Sequence, residues 1–305
     1  MSAQTTPMFI IGTGAMASLF AARLSAVGVD VTMLGTWPAG LETLNRKGVT
    51  LITQDDQENT YPVRATDDPA DCTGARYALV LVKSWQTERA ANQLAVCLAA
   101  HGLALTLQNG LGNRETLEEV LGPQRVALGV TTMGANLAGP GRVRLAGEGV
   151  ITTGTHPRLG PLTDLLRKAG FTIEDDPNPN ALLWGKLVIN AAVNPLTALL
   201  DIPNGELLNR LSAREVAAAL ASEAASVAVA KGISLPYPDP VLATEAVAQR
   251  TALNISSMLQ DVRRGSPTEI DAICGAIVQA GEQTGVPTPV NRTIWQLVNG
   301  LRAPE

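Results

Sequence analysis

The chain has 305 residues, of which 46% are hydrophobic, 17% charged and only 3% aromatic, with a net charge of −5. That length suits about two domains, and that composition supports a substantial, mostly aliphatic core. No long basic run is present, so nucleic acid is not an expected partner, because phosphate binding needs a clustered positive surface.

In chain order, the first element predicted is a buried strand at residues 8–11, M-F-I-I, ending in Gly12. A helix follows over Ala15 to Ala26, stopping near Gly28, and then a second strand over Val29 to Leu34. Further buried strands are expected at Leu79 to Val82 and Leu103 to Leu107, with helices at Glu88 to Ala100 and Arg114 to Leu121. Such alternation implies βαβ units and a parallel sheet. Short glycine-separated strands come next, at Val126 to Val130, Val143 to Leu145 and Val150 to Thr153, and a hairpin finishing the sheet is expected there. A helix over Leu162 to Ala169 and a last strand over Phe171 to Glu174 complete the α/β half. Asp175 to Asn180, D-D-P-N-P-N, reads as a linker. Beyond it helices are predicted at 181–194, 205–231, 240–263, 267–284 and 290–300, with almost no strand signal. The expected architecture is therefore α/β: a Rossmann-type dinucleotide-binding domain at 1–177 and an all-helical domain at 178–305.

Cys72, Cys97 and Cys274 are scattered, with no C-x-x-C, which fits reduced thiols in a cytoplasm. The N-terminal M-S-A-Q-T-T-P lacks the basic region of a signal peptide. No run of about 18 uncharged apolar residues reads as a membrane span. The Ala-rich stretch within 205–231 suits either a core helix or an interface, and a homodimer is one expectation.

Gly12-Thr13-Gly14-Ala15-Met16-Ala17 follows the first strand and opens a helix. This is a G-x-G-x-x-A dinucleotide fingerprint: one glycine makes the turn, and the next lets the backbone approach a pyrophosphate at the positive end of the helix dipole. A glycine turn without a ligand is the plainer alternative. After the second strand, an acid would select NAD and an arginine would accommodate NADP. The chain has Thr36, which is neither.

Residues 184–201, W-G-K-L-V-I-N-A-A-V-N-P-L-T-A-L-L-D, are apolar except at Lys186, Asn190 and Asn194. Four helical residues rotate by about 400°, so these three form a stripe drifting about 40° per step. Pro195 is expected to kink or end the helix. A solvated face or a self-satisfied buried network would explain the stripe without function. Ketone reduction would also explain it: the carbonyl oxygen gains negative charge, and an ammonium group can stabilise and protonate it. Two asparagines can hold the remaining oxygens of an acid substrate without adding charge.

Lys83, in V-K-S-W-Q, and Asn109, in Q-N-G-L-G, each lie just past a buried strand, where α/β sheets bind ligands. Each also suits an ordinary loop. Ser266 to Glu269, S-P-T-E, reads as a capping box that would fold Glu269 back on its own helix, and Ser257 suits a plain helix contact.

Taken together, G-x-G-A-M-A, V-K-S-W-Q, Q-N-G-L-G, W-G-K-L-x-x-N-x-x-x-N-P-L-T-A-L, P-N-G-E-L, N-I-S-S-M-L-Q-D and T-E-I-D resemble the ketopantoate reductase family over about residues 8 to 300. The resemblance implies NAD(P)H-dependent reduction of 2-dehydropantoate (ketopantoate) to pantoate, a step towards pantothenate and coenzyme A. It implies Lys186 as general acid, with Asn190, Asn194, Asn204, Asn254, Asn109 and Ser257 at the substrate, and Glu269 in contact with the bound ligands. Gly12, Thr13, Gly14, Ala15, Met16, Ala17, Thr36, Lys83, Asn109, the loop alanine Ala135 and Glu269 are implied at the cofactor. NADP(H) is the family's usual partner, but Thr36 replaces the usual arginine, which makes NAD(H) credible. No metal is expected. The alternatives are a reductase of another 2-oxo acid and a non-catalytic NAD(P)-binding sensor; the intact polar positions argue against the latter.

Overall fold

The computed structural model describes residues 7–301. The N-terminal segment read above as lacking a signal peptide lies almost wholly outside them. The strands are β1 (Met8–Ile11), β2 (Val31–Leu34), β3 (Val49–Ile52), β4 (Glu58–Tyr61), β5 (Arg64–Thr66), β6 (Ala75–Val80), β7 (Leu98–Thr106), β8 (Val126–Thr131), β9 (Gly134–Gly139), β10 (Arg142–Gly147), β11 (Val150–Thr153) and β12 (Thr172–Asp175). The helices are α1 (Ala15–Ala26), α2 (Pro38–Lys47), α3 (Thr87–Cys97), α4 (Asn113–Leu121), α5 (Gly160–Lys168), α6 (Pro179–Leu200), α7 (Glu206–Asn209), α8 (Leu211–Ala230), α9 (Pro240–Arg250), α10 (Ser257–Arg263), α11 (Ala276–Thr284) and α12 (Pro289–Asn299), with a π-helical turn at Asp271–Gly275.

The chain divides into two compact units. One contains the residues up to Gln108 together with Asn113–Pro179; the other contains Asn109–Gly112 together with the residues from Asn180 on.

The first unit is built on an eight-stranded sheet in the order β12-β11-β8-β7-β6-β1-β2-β5. Every neighbouring pair is parallel except β8 and β11. All four residues of β1 are buried because both sheet faces are covered. Met8 and Ile10 join a cluster with α1 and α5, whereas Phe9 and Ile11 join one with α3 and α4. A strand covered on both sides needs no polar alternation, which is why M-F-I-I is continuous.

Of the three short strands expected to finish this sheet, β8 and β11 lie in it as its antiparallel pair, but β10 lies elsewhere. β9 and β10 pair antiparallel, but within a separate four-stranded sheet ordered β4-β3-β10-β9. Helix α1 packs against strands of both sheets, so Ala17, Leu19, Phe20, Ala21, Ala22 and Leu24 are all fully buried. The sequence reading missed this second sheet and α2. Their strands are short, and β4 reads E-N-T-Y with three exposed residues.

The second unit packs helices around α6 and α8. In α8, Ala217, Leu220, Ala221, Ala224, Val227 and Ala228 are buried in the unit's core, which makes it a core helix. Among the described residues, α6 alone is long and apolar enough to cross a membrane by length and composition, although it carries Lys186 and so is not an uncharged run. However, 67% of its apolar window is buried inside the fold, as befits a core helix.

Three predicted helices differ in the structure. The 205–231 segment breaks at Arg210, and the 240–263 segment breaks at Thr251 to Ser256. The 267–284 segment becomes helical only at Asp271. Helix α6 also continues through Pro195 to Leu200 instead of ending there. Proline removes one N–H from the ladder and leaves the carbonyl four residues earlier without its helical partner. That carbonyl is Ala191 O, and the buried Cys274 thiol donates to it at 3.8 Å.

Candidate functional site

In the first unit, strand β1 runs directly into the glycine loop. Gly12 has φ +127°, and a Cβ there would lie 3.0 Å from Leu81 O. Conformation and space therefore both require glycine. Its N–H donates to Leu34 O at 2.7 Å, fixing the loop to the end of β2. Gly14 caps α1 without a side-chain hydrogen bond, and nothing lies within 4 Å of where its Cβ would be. The open backbone amides of a helix start thus face space that a side chain would have filled. This arrangement suits a pyrophosphate. Ala15 and Met16 follow in the first turn, half-buried, and Ala17 is fully buried against the core. Thr13 is half-buried and Thr36 exposed just beyond β2.

Lys83 is half-buried in the loop after β6, where its N–H donates to Gln86 Oε1 at 3.3 Å. Gln108, quoted above only as part of a motif, braces this loop from the end of β7. Its amide donates to Val82 O at 3.1 Å and to Thr87 Oγ1 at 2.9 Å, and its Oε1 accepts from Thr106 at 2.9 Å. Ala135, expected in a loop, stands in β9 opposite Leu145 of β10.

In the second unit, α6 carries Lys186, Asn190 and Asn194. Lys186 and Asn190 are half-buried and Asn194 is 8% exposed, while Val188, Ala191 and Ala192 between them are fully buried. The stripe is the margin of a core and not a solvated face. Burial lowers the Lys186 pKa to about 8, and the charge of Glu269 opposes the fall. A buried ammonium group loses hydration, which favours its neutral form.

Glu269 is 5% exposed, and Asn109 Nδ2 donates to its Oε2 at 3.5 Å. The capping box expected at Ser266 to Glu269 does not form. Ser266 and Pro267 are exposed and non-helical, and the chain enters the π-helical turn only after Ile270. Single-turn π-helical insertions gather at functional sites. The same turn holds the Asn109 loop, since Leu111 N–H donates to Ala272 O at 2.9 Å. Gly110, with φ +83°, lets the two backbones meet; a Cβ there would lie 2.5 Å from that oxygen. Lys186, Glu269 and Asn109 are thus brought together from segments distant in sequence.

Asn204 follows α6 and is 8% exposed. Its N–H donates to Asn254 O at 3.0 Å and its Nδ2 to Thr251 Oγ1 at 2.9 Å, while its buried Oδ1 has no protein partner. The Asn254 side chain is exposed. Ser256 is the N-cap of α10, and the half-buried Ser257 is that helix's first residue. Among the described residues, no group of three or more His, Cys, Asp and Glu side chains could hold a metal ion.

Two family models match the chain: Ketopantoate reductase PanE/ApbA over residues 8–158 and Ketopantoate reductase PanE/ApbA C terminal over residues 178–302. A 2-dehydropantoate 2-reductase of Archaeoglobus fulgidus is 38% identical, covering 96% of this chain and 97% of that protein. One from Vibrio cholerae is 33% identical, covering 96% of each. Among solved structures, a PanE/ApbA family ketopantoate reductase from Ralstonia eutropha has a TM-score of 0.90 at 33% identity, covering 96% of this chain and 98% of that one. D-mandelate dehydrogenase with NADH and anilino(oxo)acetate has a TM-score of 0.88 at 25% identity, with the same coverage.

Proposed function

The chain belongs to the ketopantoate reductase family, and from that premise we propose that it reduces 2-dehydropantoate to pantoate, with Lys186 as the proton donor. The observation that carries this reading is the half-buried Lys186, its pKa lowered to about 8, acting against the charge of Glu269. The reaction turns a keto group into a hydroxyl by adding a hydride to carbon and a proton to oxygen.

A nicotinamide dinucleotide supplies the hydride when bound. Gly12, Gly14 and the open start of α1 would hold its pyrophosphate, with Thr36 at the ribose and Lys83 and Ala135 as further contacts. The protein's own chemistry then concerns charge. As the carbonyl oxygen becomes an alkoxide, a nearby ammonium stabilises it and delivers the proton. A donor with a pKa near 8 is still largely protonated at neutral pH, yet gives up its proton far more readily than an ordinary lysine. Glu269 keeps that donor charged and is itself oriented by Asn109. Asn190, Asn194, Asn204 and Ser257 bind the carboxylate and hydroxyl oxygens without adding charge. Asn254 contributes its backbone carbonyl to the Asn204 loop.

NADPH is the cofactor that the family resemblance favours. Thr36 offers neither an acid for NAD nor an arginine for the extra phosphate of NADP, so we infer that NADH is accepted as well. The buried, unpaired cysteines suit a cytoplasmic enzyme of pantothenate biosynthesis. The likeness to D-mandelate dehydrogenase supports a second reading, in which the same machinery reduces a different 2-oxo acid with NADH. Steady-state kinetics on a panel of 2-oxo acids, each with NADPH and with NADH, tests both readings. Highest kcat/KM on 2-dehydropantoate supports the first; a different preferred acid supports the second.

A further inference from the structure

Two hydroxyls with no part in the chemistry above join α6 to α10. Thr197 is fully buried and Ser256 is 5% exposed, and their Oγ atoms are 2.7 Å apart. Thr197 lies one turn after Asn194 on α6, and Ser256 immediately precedes Ser257. Ser256 Oγ also accepts the Leu259 N–H at 3.1 Å, as an N-cap does. Thr197 Oγ1 lies 2.9 Å from Asn194 O and 3.0 Å from Val193 O.

A hydroxyl carries one proton and accepts through its lone pairs, whereas a carbonyl only accepts. The single Thr197 proton is shared among Ser256 Oγ and the Val193 and Asn194 carbonyls. Ser256 Oγ accepts from Thr197 and from the Leu259 N–H. The two hydroxyls thus link the α6 backbone at Asn194 to the first turn of α10.

This link sits next to the break that Pro195 makes in the α6 ladder, where backbone bonding is weakest. Thr197 supplies a second bond to the carbonyls on the far side of that break. It also ties them to the helix start from which Ser257 projects. We propose that Thr197 and Ser256 are positioning residues that hold Asn194 and Ser257 in one rigid frame, and that this frame sets the affinity for the 2-oxo acid. The proposal rests on the reading of Asn194 and Ser257 as substrate-binding residues. Neither hydroxyl touches the substrate or the cofactor in this scheme, so the effect falls on substrate KM and leaves cofactor affinity alone.

The test is steady-state kinetics on 2-dehydropantoate at saturating reduced cofactor for Thr197→Val, Thr197→Ser and Ser256→Gly, with cofactor affinity measured separately by fluorescence. Valine keeps the shape of threonine and removes the hydroxyl; serine keeps the hydroxyl. Glycine is itself an acceptable N-cap, so Ser256→Gly removes the bond while preserving the helix start and carries the test if Thr197→Val fails to fold. We expect Thr197→Val and Ser256→Gly to raise KM about fivefold to tenfold, the scale of one ordinary hydrogen bond, with cofactor affinity unchanged and Thr197→Ser close to wild type. Asn194→Ala and Ser257→Ala, assayed beside them, test the underlying reading. If these two leave KM unchanged, the substrate assignment fails and the proposal with it. If they raise KM while Thr197→Val and Ser256→Gly do not, or if those variants weaken cofactor binding equally, the positioning role is overturned.

Discussion

Within the helical unit the charge of Glu269, 83 residues further along the chain, opposes the effect of burial on Lys186. Burial pulls the lysine pKa down to about 8, and the glutamate charge holds it up. Only the protonated amine can donate, so kcat/KM should fall as pH rises through about 8. Glu269→Gln removes the charge that supports the ammonium, and the falling limb should move to lower pH. A pH–rate profile of both proteins checks this. A limb at the same pH in both would show that Glu269 does not tune the donor.

Gly12 is the position where the dinucleotide loop tolerates least. An added methyl group would meet Leu81 O at 3.0 Å in a conformation that L-residues rarely adopt. Gly12→Ala should weaken reduced-cofactor binding at least about tenfold, a cost of roughly 1.4 kcal/mol or more. Titration of the reduced nicotinamide fluorescence measures it.

Thr36 stands where this chain lacks an arginine. Thr36→Arg adds a guanidinium suited to a phosphate, and should shift the NADPH-to-NADH ratio of kcat/KM towards NADPH by about tenfold, one favourable charged hydrogen bond in scale. Kinetics with both cofactors read the ratio directly.

Cys274 and Pro195 should be coupled in stability. Cys274→Ala leaves the Ala191 carbonyl without its thiol donor and should cost about 1–3 kcal/mol. Pro195→Ala restores an N–H to that carbonyl, so the same Cys274 substitution should cost less in its background. Denaturant unfolding of the four proteins in a double-mutant cycle measures the difference.

What could be read in advance follows the range of the interactions. Helix α1 was predicted with its observed limits, because its glycine turn and continuous apolar run are local signals. The course of α6 beyond Pro195 was not, because the group that compensates the proline is Cys274, 83 residues from Ala191. The capping box at Ser266 matched in pattern only. Tertiary contacts draw Thr268 and Glu269 into the interior, and helical structure begins at Asp271. The stripe of Lys186, Asn190 and Asn194 was legible because polar residues at helical spacing stand out in an apolar segment. Gln108, Thr197 and Ser256 were passed over since a glutamine or a hydroxyl shows its role only when its partners are known. The second sheet escaped notice because its strands are short and flanked by glycine, and their pairing joins β3 to β10 across distant sequence.

The most direct measurement is the turnover of Lys186→Ala on 2-dehydropantoate with reduced cofactor saturating. We expect kcat to fall by about 10²–10⁴-fold, the usual contribution of a positioned general acid, while reduced-cofactor affinity stays at the wild-type value. A variant that binds the cofactor and still turns over at the wild-type rate would contradict the assignment of Lys186 as the proton donor.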